Sequence, residues 1–231
     1  MDTERRLKKA DAAAMRADTS RRPPGSPLQR AVQNTILLAL ATVSVPLTVF
    51  IDLFIIGNYL GERSLTECGQ ALVLLVSVVL FAHAARRRPE GRGFYRLVAG
   101  FFLCCLIREM DLLLDDLLFH GAWAPLASAA ALLAILRALR VRSTLLPGAE
   151  EFAGTRSFVC VQVGLVVVIV LSRTLGSGTL FWSFMGDDAI YRPCKTIVQE
   201  ALESFGYLLV GAGAILLHRE IDRGLPSTPR D

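Results

Sequence analysis

Several signatures of metal-binding and redox proteins are scarce or missing in this chain of 231 residues. Its five cysteines form no Cys-x-x-Cys pair, so the sequence indicates neither a zinc knuckle nor a dithiol redox motif. It has only three histidines, and the apolar runs around them predict His120 at the opposite surface from His83 and His218. The three therefore cannot bind one metal ion, and a bis-histidine haem is not expected. No repeat of fixed period and no strand-like alternation is present either.

Long apolar runs dominate what is present. Apolar residues make up 53% of the chain, and the charged 20% lie mostly between these runs. A helix needs about 20 mainly apolar residues to cross the hydrocarbon layer. The pattern therefore predicts an all-α, polytopic integral membrane protein, a six-helix bundle over residues 31–218. The six predicted spans are 31–57, 66–85, 94–119, 122–139, 157–171 and 196–217.

The distribution of lysine and arginine predicts the orientation of the spans, because these residues favour the cytoplasmic side of short loops. With the N-terminus inside, most of the 25 basic residues fall in cytoplasmic segments. Both the N-terminus and the C-terminus are then cytoplasmic, and the short loops and arginine bias suit a bacterial inner membrane. The basic residues predicted outside the spans on the opposite side are Arg63, Arg173, Arg192 and Lys195.

The two ends of the chain are predicted to lie outside the bundle. Residues 1–30 are highly charged and then rich in Pro, Gly and Ser, so they cannot bury a core and are expected to form a mobile basic cytoplasmic tail. Residues 219–231 are expected to form a second cytoplasmic tail. The arginine run at 86–88 is interpreted as a topology signal, and no nucleic-acid partner is expected.

Acidic residues inside two predicted spans indicate a functional or structural site. Each ionisable residue at the centre of a membrane costs about 2.5–3.5 kcal/mol on insertion scales, so several together need a common reason. They all lie in the outer half of the third and sixth spans. The sequence therefore predicts an outward-facing acidic pocket that binds a cation or a proton, formed by Glu109, Asp111, Asp115, Asp116, Glu200 and Glu203.

Helical periodicity predicts that the third and sixth spans face each other. In one continuous helix, Asp111 and Asp115 lie within about 60° of Arg108, since each residue advances about 100°. Arg108 is therefore the expected counter-ion, bridging Asp111 and either Glu200 or Glu203. The predicted supporting residues are Arg108, Tyr207 and Ser204, and the additional candidates at similar depth are Asp52 and His120.

The sequence leaves three functions open. In the first, the pocket binds a cation or a proton, in a site that a transport pathway would use. One arginine cannot neutralise so many carboxylates, so some of them should be protonated or should bind a cation. Alternatively, a divalent cation serves an intramembrane enzyme that acts on a lipid or lipid-linked substrate. Its predicted ligands are Asp111, Asp115, Glu200 and Glu203.

In the third alternative, the protein is a structural or assembly subunit whose polar network only stabilises the bundle. Small residues on the fourth and sixth spans would allow close helix packing, including in a homo-oligomer. The expected partners are the lipid bilayer and a cation or lipid ligand. A disulfide between Cys68 and Cys194, both predicted near the outer surface, is left open.

Overall fold

The computed structural model describes residues 27–57, 64–178, 182, 184 and 188–222. Across these residues the chain is helical, with turns and no strand, so the all-α prediction is confirmed for this part. Residues 1–26 of the predicted N-terminal tail and residues 223–231 of the predicted C-terminal tail lie outside the described residues.

The helices are numbered here in chain order. The first group is α1 (Pro27–Phe50, continued by a π-helical turn at Ile51–Ile56), α2 (Leu65–Arg87), α3 (Arg92–Glu109) and α4 (Asp111–Leu117). The second group is α5 (Trp123–Leu139), α6 (Leu145–Ala153), α7 (Arg156–Val166, continued by a π-helical turn at Val167–Ser172 and a last turn at Arg173–Leu175) and α8 (Asp188–Asp222).

Tertiary contacts divide the chain into residues 1–40 and residues 41–231. In the first unit, the described residues form the beginning of α1. The second unit contains the remainder of α1 and all later helices, and the packing described below belongs to it.

Four helical stretches are long and apolar enough to cross a membrane: Leu38–Ile56, Leu65–Arg87, Arg156–Leu175 and Tyr191–Asp222. Trp123–Leu139 and Arg142–Ala153 provide a fifth if they are counted as one broken span, since they meet at 91°. Large apolar side chains on these stretches are exposed, as expected of surfaces that face lipid. Apolar helices of this number and length are those of a multi-pass membrane protein.

Two of the six predicted spans, the third and the fourth, are not among these four stretches. The stretch predicted as one helix over 94–119 is interrupted at Met110, whose φ of −99° and ψ of 18° depart from helical values. α3 therefore ends at Glu109, and the exposed helix α4 begins at Asp111. α5 has 17 residues, slightly fewer than a span usually needs. The sixth predicted span, 196–217, lies within α8, which is a longer helix than predicted.

Helices α2, α3 and α8 form the centre of the second unit. α2 packs against α3 and α8, α3 also packs against α5, and α8 also packs against α7. Their contacts bury Leu74, Phe81, Phe102 and Val210 almost completely. The rings of Phe81 and Phe102 lie 5.5 Å apart between centroids, so α2 and α3 meet through aromatic packing.

Glycine allows the backbones of α7 and α8 to touch. A Cβ atom on Gly164 would lie 2.5 Å from the carbonyl oxygen of Gly206. Two turns further along, the Ser157 hydroxyl donates a hydrogen bond of 2.7 Å to the carbonyl oxygen of Gly213. Small residues are the usual means of close helix association in lipid, where dispersion forces and interhelical hydrogen bonds replace the hydrophobic effect.

We expect Gly164→Ala to destabilise the α7–α8 contact by about 1–3 kcal/mol, because the added methyl group meets backbone that cannot move aside. The free energy of unfolding in mixed detergent micelles measures this loss. Gly69→Ala on α2 is the matched control, since nothing lies within 4 Å of its added Cβ atom. Equal stability of the two variants would show that the close approach does not limit packing.

Candidate functional site

Glu109, the last residue of α3, is in direct contact with α8. The Tyr207 hydroxyl donates a hydrogen bond of 2.8 Å to Glu109 Oε1. The same oxygen lies 3.3 Å from a guanidinium nitrogen of Arg108. The structure therefore pairs Arg108 with its neighbour in sequence, and not with Asp111, Glu200 or Glu203 as the periodicity predicted.

Glu203 is buried between α8 and the end of α7. Its Oε1 atom accepts hydrogen bonds from the Ser172 hydroxyl at 2.7 Å and from Gln199 Nε2 at 3.2 Å. A guanidinium nitrogen of Arg173 lies 3.6 Å from the same oxygen. Only 5% of the Glu203 side chain is exposed, against 46% of Arg173, so the arginine reaches the buried carboxylate from the surface.

Glu200 has a neutral partner on α2. Gln70 Nε2 donates to Glu200 Oε2 at 3.1 Å and to the Ser204 hydroxyl at 2.9 Å. Gln70 is buried, and its Oε1 atom has no hydrogen-bond partner within the described part of the chain. A cavity of about 90 Å³ adjoins this amide and is also lined by Ser44, Thr48, Ser204 and Tyr207.

We call Glu109, Glu200 and Glu203 the glutamate cluster. Glu109 and Glu200 are each close enough to Glu203 to interact with it electrostatically. The three carboxylates have two guanidinium groups as partners, those of Arg108 and Arg173. With every group ionised, the cluster and these two arginines carry one excess negative charge, and Glu67, outside the cluster, is also close enough to act on Glu200. Glu200 is the member without an arginine partner.

The predicted acids beyond Met110 make contacts of another kind. Asp115 Oδ1 accepts a hydrogen bond of 2.8 Å from the backbone N–H of Gly121, and its Oδ2 lies 2.8 Å from Nδ1 of the fully exposed His120. Asp111 accepts from the N–H of Leu112. The hydrogen bonds and ion pairs of Asp111 and Asp115 thus stay within α4 and the turn after it. Asp116 is exposed on α4.

Asp52, the additional candidate on the first span, caps helix α2. It is fully buried, and its carboxylate accepts hydrogen bonds from the N–H groups of Leu65 and Thr66 at 2.8 and 2.9 Å, and from the Thr66 hydroxyl. The first N–H groups of a helix have no partner within it, and a carboxylate there also complements the helix dipole. These contacts give Asp52 a structural role.

No group of three or more His, Cys, Asp or Glu side chains is arranged to hold a metal ion within the described ranges. This applies to the predicted ligands Asp111, Asp115, Glu200 and Glu203, because the first two make their contacts on α4. His83 and His218 do come together, with ring centroids 5.2 Å apart in an edge-to-face contact.

Sequence reasoning missed Gln70, Ser172 and Arg173 as members of the site. Gln70 is a polar residue within the second predicted span and Ser172 directly follows the fifth, which is the signal that could have identified them. Arg173 directly follows such a run and was assigned only to the outer surface. Its pairing with Glu203 depends on how α7 packs against α8, which the sequence alone does not specify.

Comparison with protein-family models, with curated proteins and with solved structures finds no match to this chain. The function of the site is therefore argued from its own geometry.

We expect Asp52→Ala to lower the free energy of unfolding by about 1–3 kcal/mol, because it leaves buried N–H donors without an acceptor. Thr66→Val is the graded control, since it removes the hydroxyl contact and keeps both backbone hydrogen bonds. Denaturant unfolding in micelles, followed by circular dichroism, compares the two. A smaller loss for Asp52→Ala than for Thr66→Val would contradict the capping role.

Proposed function

We propose that this multi-pass membrane protein binds one proton at the glutamate cluster, and that Glu200 carries it. The observation that supports this most directly is the difference among the three partners. Glu109 and Glu203 each lie beside a guanidinium, whereas Glu200 lies beside the neutral amide of Gln70. An ionised carboxylate in a low-dielectric site is costly unless it is paired, and protonation removes that cost.

The amide of Gln70 can pair with Glu200 in either protonation state. As it stands, Nε2 donates to the Glu200 carboxylate, and the buried Oε1 has no partner among the described residues. Rotating the amide by 180° exchanges Oε1 with Nε2 and would place an acceptor towards a protonated Glu200, which is then a donor. Gln70 is therefore compatible with proton uptake at Glu200.

A proton suits this cluster better than the divalent ion that the sequence also allowed. A hard divalent cation takes about six oxygen ligands, with several carboxylates among them. The described residues offer no group of three acidic or metal-binding side chains in suitable positions. One positive charge balances the excess of the cluster, so a monovalent cation is the remaining competitor of a proton.

We expect the stability of the wild-type protein to fall as the pH rises through the range in which Glu200 releases its proton. A folded state that holds one proton more than the unfolded state loses about 1.4 kcal/mol per pH unit in that range. Glu200→Gln mimics the neutral side chain and should remove this slope. The measurements are thermal unfolding against pH and the infrared band of protonated carboxyl groups, in sodium-free and potassium-free buffer.

Glu150→Gln is the matched control, since Glu150 is exposed and lies outside the glutamate cluster. It should keep the wild-type profile. The same slope in Glu200→Gln as in wild type would reject Glu200 as the proton carrier. A flat wild-type profile without a protonated carboxyl band would assign the cluster a purely structural role, and a shift that depends on added Na⁺ or K⁺ would favour a cation.

We further propose that the chain crosses a bacterial inner membrane six times with both termini in the cytoplasm. α3 together with α4 would form the third span and α5 the fourth. The 91° bend between Trp123–Leu139 and Arg142–Ala153 would let α6 lie along the cytoplasmic surface. The strong asymmetry of arginine between alternate loops supports this orientation.

Native cysteines test the orientation. Cys68 and Cys194 are free and exposed near the first turns of α2 and α8, so no disulfide joins them. We expect a membrane-impermeant thiol reagent to label both in intact spheroplasts, and the label to disappear in the double serine variant. Ser143→Cys, at an exposed position between α5 and α6, should react only after permeabilisation. The reverse pattern would invert the topology.

A further inference from the structure

A cavity of about 860 Å³ lies between α2, α3 and α5, at the opposite end of α2 and α3 from the glutamate cluster. Small and apolar side chains form its wall along the helices. Representative members are Ala82, Ala99, Ala130 and Leu133. The volume falls in the range of about 300–1,000 Å³ that is typical of small-molecule sites.

The space exists because α3 and α5 meet through very small residues. A Cβ atom on Gly100 would collide with the Cβ atom of Ala134, so the two backbones come close at this point. Alanines on either side of the contact are too short to fill the gap towards α2. The cavity is therefore a consequence of the packing.

Five arginines line one end of this cavity. They come from the end of α2, the first two turns of α3 and the end of α5, and they are Arg86, Arg92, Arg96, Arg137 and Arg140. Within the described chain, none of the five forms an ion pair with a carboxylate. The one side-chain hydrogen bond that the five make there runs from a guanidinium nitrogen of Arg96 to the carbonyl oxygen of Arg137, at 3.4 Å. The nearby Glu151 is already paired with Arg88.

Clustered guanidinium groups without carboxylate partners repel one another, and an anion placed among them relieves this repulsion. Guanidinium binds phosphate with paired, charge-assisted hydrogen bonds, which makes arginine the usual choice for phosphate recognition. Basic pockets between membrane helices are known binding sites for anionic headgroups. The charge of this end of the cavity therefore matches a phosphate group.

We propose that the arginine-lined cavity binds an anionic phospholipid. Its phosphate lies among the five arginines, and an acyl chain follows the apolar wall between α3 and α5. A free phosphate ion would occupy the charged end and leave the apolar part empty. A phospholipid fills both parts, which is why the observations favour it.

Lipid binding to the purified protein tests this proposal. The protein in neutral detergent is titrated with phosphatidylglycerol or with phosphatidylcholine, and bound lipid is measured by native mass spectrometry. Wild type should retain phosphatidylglycerol preferentially. Arg96→Gln/Arg137→Gln should weaken its binding by about tenfold or more, because each lost charge-assisted hydrogen bond is worth more than a neutral one.

Arg87→Gln/Arg142→Gln is the matched control, since both arginines belong to the same end of the helices but do not line the cavity. It should bind phosphatidylglycerol as the wild type does. An equal loss in this control would show general attraction to a basic surface and overturn the proposal. If Arg96→Gln/Arg137→Gln does not fold, Arg86→Gln/Arg140→Gln removes the same charge from the cavity.

The apolar part of the cavity is tested separately. Ala130→Phe should block the acyl chain and weaken phosphatidylglycerol binding while all five arginines remain. Inorganic phosphate should neither stabilise the protein at millimolar concentration nor displace the lipid. Full lipid binding in Ala130→Phe, or equal stabilisation by inorganic phosphate, would reduce the site to an anion site for a headgroup alone and overturn the proposal for a whole phospholipid.

Discussion

The contact between the backbones of α7 and α8 determines where the charged side chains of α8 lie. Residues three or four apart share a helix face. Glu203 therefore shares a face with Gly206 and, two turns further, with Gly213, and this face touches α7. Glu200 shares its face with Ser204 and, further along, with Gly211, whose added Cβ atom would meet Val73 of α2. Glu200 and Glu203 are three positions apart, and their side chains point about 60° from each other around the helix axis. Each therefore reaches a different neighbour, α2 for Glu200 and α7 for Glu203.

This division gives the glutamates different surroundings. The α7 interface provides Glu203 with a hydroxyl and a guanidinium, whereas the α2 interface provides Glu200 with an amide. A guanidinium favours the ionised form of a carboxylate more strongly than a neutral amide does. The packing of glycines is therefore what gives two residues of the same type different partners.

The sequence predicted the architecture better than the site. Apolar length identified the four stretches that are long enough to cross a membrane, because in lipid every backbone group must find its partner within the helix. The expected pairing of Arg108 with Asp111 required one continuous helix, and the interruption at Met110 removes this relation. Tyr207 and Ser204 were identified from their spacing with the glutamates on α8, which is undisturbed over this stretch.

The partners that sequence reasoning missed are distant in the chain. Ser172 and Glu203, or Gln70 and Glu200, meet only after three helices have packed, and no local pattern encodes such a meeting. The arginines of the cavity were all visible, but they were interpreted only as an orientation signal. A topology signal and a binding site use the same residues, and only the gap between α2, α3 and α5 distinguishes them.

Two π-helical turns each contain a buried polar residue that joins two helices: Asp52 in Ile51–Ile56 and Ser172 in Val167–Ser172. A π-helical turn accommodates one residue more than an α-helical turn. Loss of a single residue from either turn would restore the ordinary α-helical pitch and displace the polar side chain that the turn directs at the neighbouring helix. The lengths of these two segments are consequently constrained as strictly as their composition, and homologous chains that keep the same polar contacts should show neither insertions nor deletions there.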